Sequence, residues 1–365
     1  MQKKITYRIG DVSKIYSGGD RPEIYSDIQN SEYPIPIYSN GLDNEGLYGY
    51  TNKSQIEGDC ITVAARGVNI GTVFYRPTPF LPIVRLLSVI PDRTLVNAKY
   101  LYYYFQIDTI IGTGSAQPQL TIPFFKKKKI LIHEDISYQQ KIASILSAYD
   151  NLIQNYKKQI EALQTAASEL YKEWFVRFRF PGYKNSRFEN GIPKGWKVEK
   201  VKNCVNRLPF GQTYKKDELE PEGNIIVIDQ SEDEYLGYHN NEPSHKASAE
   251  NPIALFGDHS CKYKLMIKDF SLGENIIPYT SKGVDLYYLY YSVYKIVQTE
   301  EYKRHWNLFV NKKVLIPNNE LQKSFRQKVI PIFKQIEILN KQITNLTQQR
   351  DLLLPRLMSG KLEVK

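Results

Sequence analysis

Apolar residues keep one long register in the middle of the chain and keep it again at the end. Ile142, Leu146, Tyr149, Ile153, Tyr156, Ile160, Leu163, Ala167, Leu170 and Trp174 are separated by alternating steps of four and three. Phe325, Val329, Ile332, Ile336, Leu339, Ile343, Leu346, Arg350, Leu353 and Leu357 repeat those steps at an offset of 183. This spacing is the a/d seam of a heptad helix. Nineteen of the twenty positions are apolar and only Arg350 is not, so the shared register marks a duplication rather than two unrelated amphipathic helices. Each pattern covers about 37 residues, roughly 55 Å of helix at ~1.5 Å per residue.

Local signals frame these helices. Ser137 to Gln140 reads as a capping box, and Asn319 to Gln322 as a looser one. Pro181 and Gly182 follow the first pattern and Gly360 the second. Pro331 lies inside the second pattern and predicts a kink or a late start. Lys129–Ile132 recurs as Lys313–Ile316 just before each helix, and Lys158–Ile160 recurs as Lys341–Ile343 within it. The chain leaves one module along the first helix, builds a second module, and must come back along the second helix. The helices are therefore expected to pair antiparallel, with a pseudo-two-fold internal repeat.

The stretches between the helices alternate short apolar runs with turn residues. Cys60–Ala64, Leu81–Val89, Ile225–Ile228 and Ile253–Phe256 read as strands, and Tyr100–Ile111 and Leu286–Val297 as one aromatic helix per module. The fold class is mixed α/β: two globular domains separated by a pair of long antiparallel coiled-coil helices. The expected boundaries are 1–135, 136–178, 179–318 and 319–365. Outside these landmarks the modules share little sequence, which predicts unlike heads with different targets.

A net charge of +10 favours a polyanionic partner. The N-terminus lacks the apolar core of a signal peptide, no run of ~18 apolar residues exists, and three scattered cysteines fit a reducing compartment, so a cytoplasmic location is expected. No phosphate-binding GxxxxGK[ST] loop, no [DNS]PP[YF] tetrapeptide of amino-methyltransferases, and no HExxH or GxSxG occurs. His239 and His245 lack zinc spacing, and Asp258–His259 lacks a nucleophile, so no catalytic or metal residue is assigned. The remaining candidates are loop residues suited to phosphates and base edges: Asn40, Arg66, Asn69, Gln117, Gln119, Lys126, Lys215, His259, Lys262 and Lys264.

Lys129–Ile132 with the following Gln140–Ser147, and the terminal Arg350–Gly360, resemble the specificity (S) subunit of type I restriction–modification systems. Weaker echoes are Gly58–Val63 and Phe256–His259. The order of recognition domain, helix, recognition domain, helix is similar as well. The resemblance implies a non-catalytic subunit whose two target-recognition domains each read half of a bipartite site in double-stranded DNA. It implies helices that set the gap and dock two methyltransferase subunits, which bring S-adenosylmethionine, with motor-nuclease restriction subunits added for cleavage and no membrane partner. The second copy departs from the pattern at Glu320–Phe325, where the Gln-Lys-Ile of the first helix is missing. Two other readings stand beside it: a coiled-coil scaffold with basic heads, and a self-contained DNA-modifying enzyme.

Overall fold

The computed structural model describes residues 2–112, 119–231, 235–299 and 303–364. The chain forms two compact units, one of residues 1–153 with 345–365, the other of residues 154–344.

In the first unit β1 (Lys4–Arg8), β2 (Ser13–Ser17), β3 (Ile35–Tyr38), β4 (Leu47–Thr51), β5 (Cys60–Val63), β6 (Val73–Arg76), β7 (Leu81–Pro82) and β8 (Leu87–Pro91) precede α1 (Ala98–Ile107), α2 (Ile122–Lys126) and β9 (Lys129–His133). Strand β1 pairs antiparallel with β9, Lys4 opposite His133 and Arg8 opposite Lys129. Ile130 and Ile132 are fully buried while Leu131 between them is half-exposed, the period-two alternation of a strand with one face on the core. Two further sheets have strand orders β2-β8-β5-β6 and β4-β3-β7, with β3 and β7 parallel. The apolar run 81–89 is therefore two strands rather than one. Val84 and Arg85 adopt positive φ, and their N–H groups donate to Gly19 and Gly18.

The core of this unit joins β9 and α1 to both long helices. Helix α3 spans Ile136–Tyr171. Its Ile142 and Leu146 cluster with Leu354, Leu357 and Met358 near the end of the last helix. Full burial of such a side chain contributes about 1.5–3 kcal/mol. The two segments run antiparallel: the hydroxyl of Tyr138 accepts the Val364 N–H at 3.2 Å, while further along α3 Asp150 meets Arg350 at 2.7 Å.

In the second unit the last turn of α3 passes into a π-helical turn over Lys172–Val176, where Arg177 N–H reaches the Lys172 carbonyl. There follow β10 (Phe188–Glu189), β11 (Ile192–Pro193), β12 (Lys197–Lys200), α4 (Val201–Cys204), β13 (Val205–Arg207), β14 (Ile225–Ile228), β15 (Gly237–His239), β16 (Ile253–Gly257), β17 (Tyr263–Met266), β18 (Phe270–Leu272), β19 (Ile276–Ser281), α5 (Leu286–Val293), α6 (Trp306–Asn311), β20 (Lys313–Ile316) and α7 (Asn319–Ser359). Strand β12 pairs antiparallel with β20, and the larger sheets are ordered β13-β19-β16-β17 and β15-β14-β18, with β14 and β18 parallel. Among the described residues β12 to β20 repeat β1 to β9 in order and pairing, and β10 with β11 forms an added two-stranded sheet. The heads that share little sequence share one topology. In this unit Ala167 of α3 clusters with Phe325, Val329, Phe333 and Ile336 of α7.

None of the twenty seam residues is exposed. The caps differ from expectation. Asp135, not Ser137, caps α3, its carboxylate accepting the Ser137 N–H at 2.8 Å. Asn318 caps α7 through the Leu321 N–H at 2.8 Å. Gln140, expected in the first capping box, is exposed, while its neighbour Gln139 and the second box's Gln322 are turned inward. Gln139 Nε2 donates to the carbonyls of Leu95 and His133, and its Oε1 accepts the Asn97 N–H. Gln322 does the same with Pro317 and Asp285. Asn97 and Asp285 in turn cap α1 and α5, which end at Ile107 and Val293, about a turn earlier than the sequence suggests. Helix α7 neither starts late nor breaks at Pro331. Pro331 and Gln327 are both exposed, so the carbonyl left without a donor can be hydrated.

Candidate nucleic-acid interface

Parallel pairing of β3 with β7 sends both strands toward the same edge of the first module, and the β5–β6 hairpin loop joins them there. Asn40, two residues past β3, ties this edge together. Its Oδ1 accepts the Ala65 N–H at 2.8 Å, and its Nδ2 donates to the Val84 carbonyl at 2.6 Å. Asn69 Nδ2 donates to the Asn40 carbonyl at 3.1 Å. Gln119 and Arg66 share a backbone bridge, and Leu120 N–H reaches the Ala65 carbonyl. Four of the sequence candidates, Asn40, Arg66, Asn69 and Gln119, thus converge on one loop cluster. Gln117 lies outside the described residues.

The members of the cluster have different parts. Both ends of the Asn40 amide are committed inside the fold, so it braces three loops. Arg66 and Val68 are exposed, Val68 fully so at the tip. Gly71 closes the loop at φ +88°, where a Cβ would fall 2.1 Å from the Ile110 carbonyl oxygen, so no other residue fits.

The second module has an equivalent edge. Gln230, two residues past β14, accepts through Oε1 the N–H of His259, two residues past β16, at 2.9 Å. This is the Asn40–Ala65 bond in a second copy. Lys262 Nζ donates to the Ser231 carbonyl, and Gly273 N–H reaches the Ile228 carbonyl as Ile83 N–H reaches Tyr38. His259 and Lys262 therefore occupy the hairpin loop that holds Arg66 and Asn69 in the first module. Lys264 lies just inside β17, opposite Leu255. Lys126 ends α2 and packs on Gly10, while Lys215 is exposed between β13 and β14.

Sequence reasoning missed the positive groups that flank this second edge. Arg207 and Arg304 line a cleft of about 320 Å³ beside the loop after β18, together with Thr213, Asn275 and the acidic Asp258 and Glu274. Arg207 stacks over Phe210 at 5.1 Å, while Arg304 is 80% exposed and 3.9 Å from Asp258. Asp258 is engaged by the backbone of α6. Its Oδ1 accepts the N–H groups of His305 at 3.1 Å and Trp306 at 2.9 Å at the start of α6. Gln230 lacked any spacing signal. Only the internal repeat, aligned through strand ends, could have found it.

Several titratable groups lie in the cores of the modules. Burial holds His133 down to about 4, and lowers His239 and His245. His239 stacks on Tyr214, and His245 bonds the Phe210 carbonyl, so both are core histidines. Burial pushes the Cys60 thiol up to about 12. Among the described residues no group of His, Cys, Asp and Glu could hold a metal ion, and no helix is long and apolar enough to cross a membrane.

Residues 1–165 match the model of the "Type I restriction modification DNA specificity domain". The chain is 28% identical, over 96% of its length, to the type I restriction enzyme MjaIX specificity subunit of Methanocaldococcus jannaschii, of which it covers 89%. Over nearly its whole length the chain is similar to a type I specificity subunit. A putative type I specificity subunit of Mycoplasma pneumoniae is 34% identical over 38% of the chain and 41% of its own length. The fold of the chain is that of the S subunit of a type I restriction–modification system from M. genitalium, with a TM-score of 0.63 at 16% identity, over 98% of this chain and 96% of that one. Both modules and both long helices fall within that coverage.

Proposed function

We propose that this chain is the DNA-reading subunit of a type I restriction–modification complex and performs no chemistry itself. The observation that carries the reading is the pair of equivalent loop edges. Two modules of one topology join the loops after equivalent strands with an equivalent side-chain amide bond, yet present different side chains there. That arrangement suits two unlike half-sites. Lysines and arginines neutralise phosphates, while arginine and amide side chains discriminate base edges in the major groove.

Each module then reads one half of a bipartite site, and the helices set the gap between the halves. Methyltransferase subunits, two in this reading, bring S-adenosylmethionine and modify the site; restriction subunits cut. The test is to co-express the chain with its methyltransferase partner and map modified bases in the host genome. A two-part site with a fixed gap is expected. Exchanging residues 179–318 for those of a relative should change one half alone. Modification that ignored the exchange would sink the proposal, as would modification by the purified chain without a partner.

A further inference from the structure

The duplicated helices pose a problem of choice. Their seams share one register at an offset of 183, so each helix resembles its own partner. Two copies of the chain could pair first helix with first helix, and second with second, through the same apolar positions. Sequences with internal symmetry need some feature that disfavours such alternatives.

One place on the seam breaks the symmetry. In the first unit Arg350 Nη1 lies 2.7 Å from Asp150 Oδ1, both side chains being 27% exposed. Asp150 also accepts the hydroxyl of Tyr103 on α1, and Arg350 is shared with Asp351 at 2.8 Å. By the offset of 183, the counterpart of Asp150 is Phe333 and the counterpart of Arg350 is Ala167. These two are buried together in the apolar cluster of the second unit, Ala167 fully and Phe333 at 7% exposure. The chain therefore matches charge with charge at one place and apolar with apolar at its equivalent.

We propose that the Asp150–Arg350 pair dictates helix choice, forcing the first helix to pair with the second of the same chain. A pair of first helices would set Asp150 against Ala167, twice. A pair of second helices would set Arg350 against Phe333, twice. Each removes a half-buried charge from its partner and offers it an apolar surface. Losing one partner of such a pair is far more costly than replacing both by apolar groups. Single polar positions on a helical seam choose partners by this means in coiled coils.

The test uses the full-length chain with a reporter cysteine. Gln159 is exposed and lies near the midpoint between Asp150 and Ala167, about which two first helices would pair. A Gln159→Cys chain should form little disulfide-linked dimer on mild oxidation, since Cys60, Cys204 and Cys261 are buried. Adding Asp150→Leu with Arg350→Leu should make linked dimer appear as a main product. Adding the exchanged pair, Asp150→Arg with Arg350→Asp, should return it to the parent level. Arg350→Ala with Gln342→Cys is the milder companion, since alanine then stands at both equivalent positions and second helices can pair. It too should yield linked dimer. The proposal is overturned if neither altered chain links more than its cysteine parent, or if the exchanged pair links as much as the leucine pair.

Discussion

The side-chain oxygen of Gln139 accepts the backbone N–H of Asn97 at 2.9 Å, and the same atom of Gln322 accepts the N–H of Asp285 at 2.8 Å. Each glutamine sits in the first turns of a long helix, and each partner caps the aromatic helix of the module before it. One side chain thereby fastens a reading head to its helix.

Replacing Gln139 by alanine should leave the Asn97 N–H and the Leu95 and His133 carbonyls without that partner. A loss of about 1–3 kcal/mol is expected for such buried polar groups. Chemical denaturation of the full chain, read beside Gln322→Ala, checks it. Equal losses for the two variants are expected from the equivalent bonds.

Asn40→Ala and Gln230→Ala should act on reading more than on stability. Each removes the brace beneath one hairpin loop, at a cost of about 1 kcal/mol for the lost bond. With the methyltransferase present, Asn40→Ala should weaken discrimination at one half-site and Gln230→Ala at the other. Competition binding with half-site variants measures this. Loss of affinity without loss of discrimination would argue that the braces serve stability alone.

Arg207→Gln and Arg304→Gln should each weaken binding to all sequences alike. If each arginine neutralises a phosphate, the slope of log affinity against log salt should fall by about one per substitution. A titration of binding against salt decides. An unchanged slope would place the cleft away from the DNA.

His133 gives stability a pH dependence. Burial lowers its folded value from the usual 6.5 to about 4. The unfolded chain therefore binds a proton that the folded chain refuses. The contribution is fully present above about 6.5 and is lost as pH falls through that value toward 4. His239 and His245 shift in the same direction, so the reading is a difference. The slope of stability against pH over this window should be shallower in His133→Gln than in the parent.

Seven residues inserted after Gln154 and seven after Thr344 preserve heptad phase and lengthen each helix by about 10 Å. The gap of the modified site should grow by about three base pairs at ~3.4 Å each. Modification still confined to the original gap would refute a spacing role for the helices.

The helices were legible because a seam of period 3.5 repeats a single physical demand many times. Ile142 and Phe325 could be placed in register from their neighbours alone. The modules were less legible, because a strand such as β5 is buried on both faces and carries no alternation to read. The turn at Val84 and Arg85 hid inside an apolar run, since two side chains rarely seen at positive φ held it. Loop candidates were found as positions but not as roles. Asn40 was noticed for its chemistry, yet its amide faces inward, and Gln230 went unnoticed because a lone glutamine in a loop carries no pattern. Their equivalence depends on strand ends, which only the paired sheets define.

Strands β1 and β9 are neighbours in one ladder, and so are β12 and β20. Where the chain enters a module and where it leaves are therefore about 5 Å apart, the spacing of adjacent strands. A head of well over a hundred residues is a closed excursion from that point. It can be cut out and exchanged as one continuous segment at two points that lie side by side while the helix beyond keeps its register, so a new half-site can be acquired without remaking anything that measures the gap.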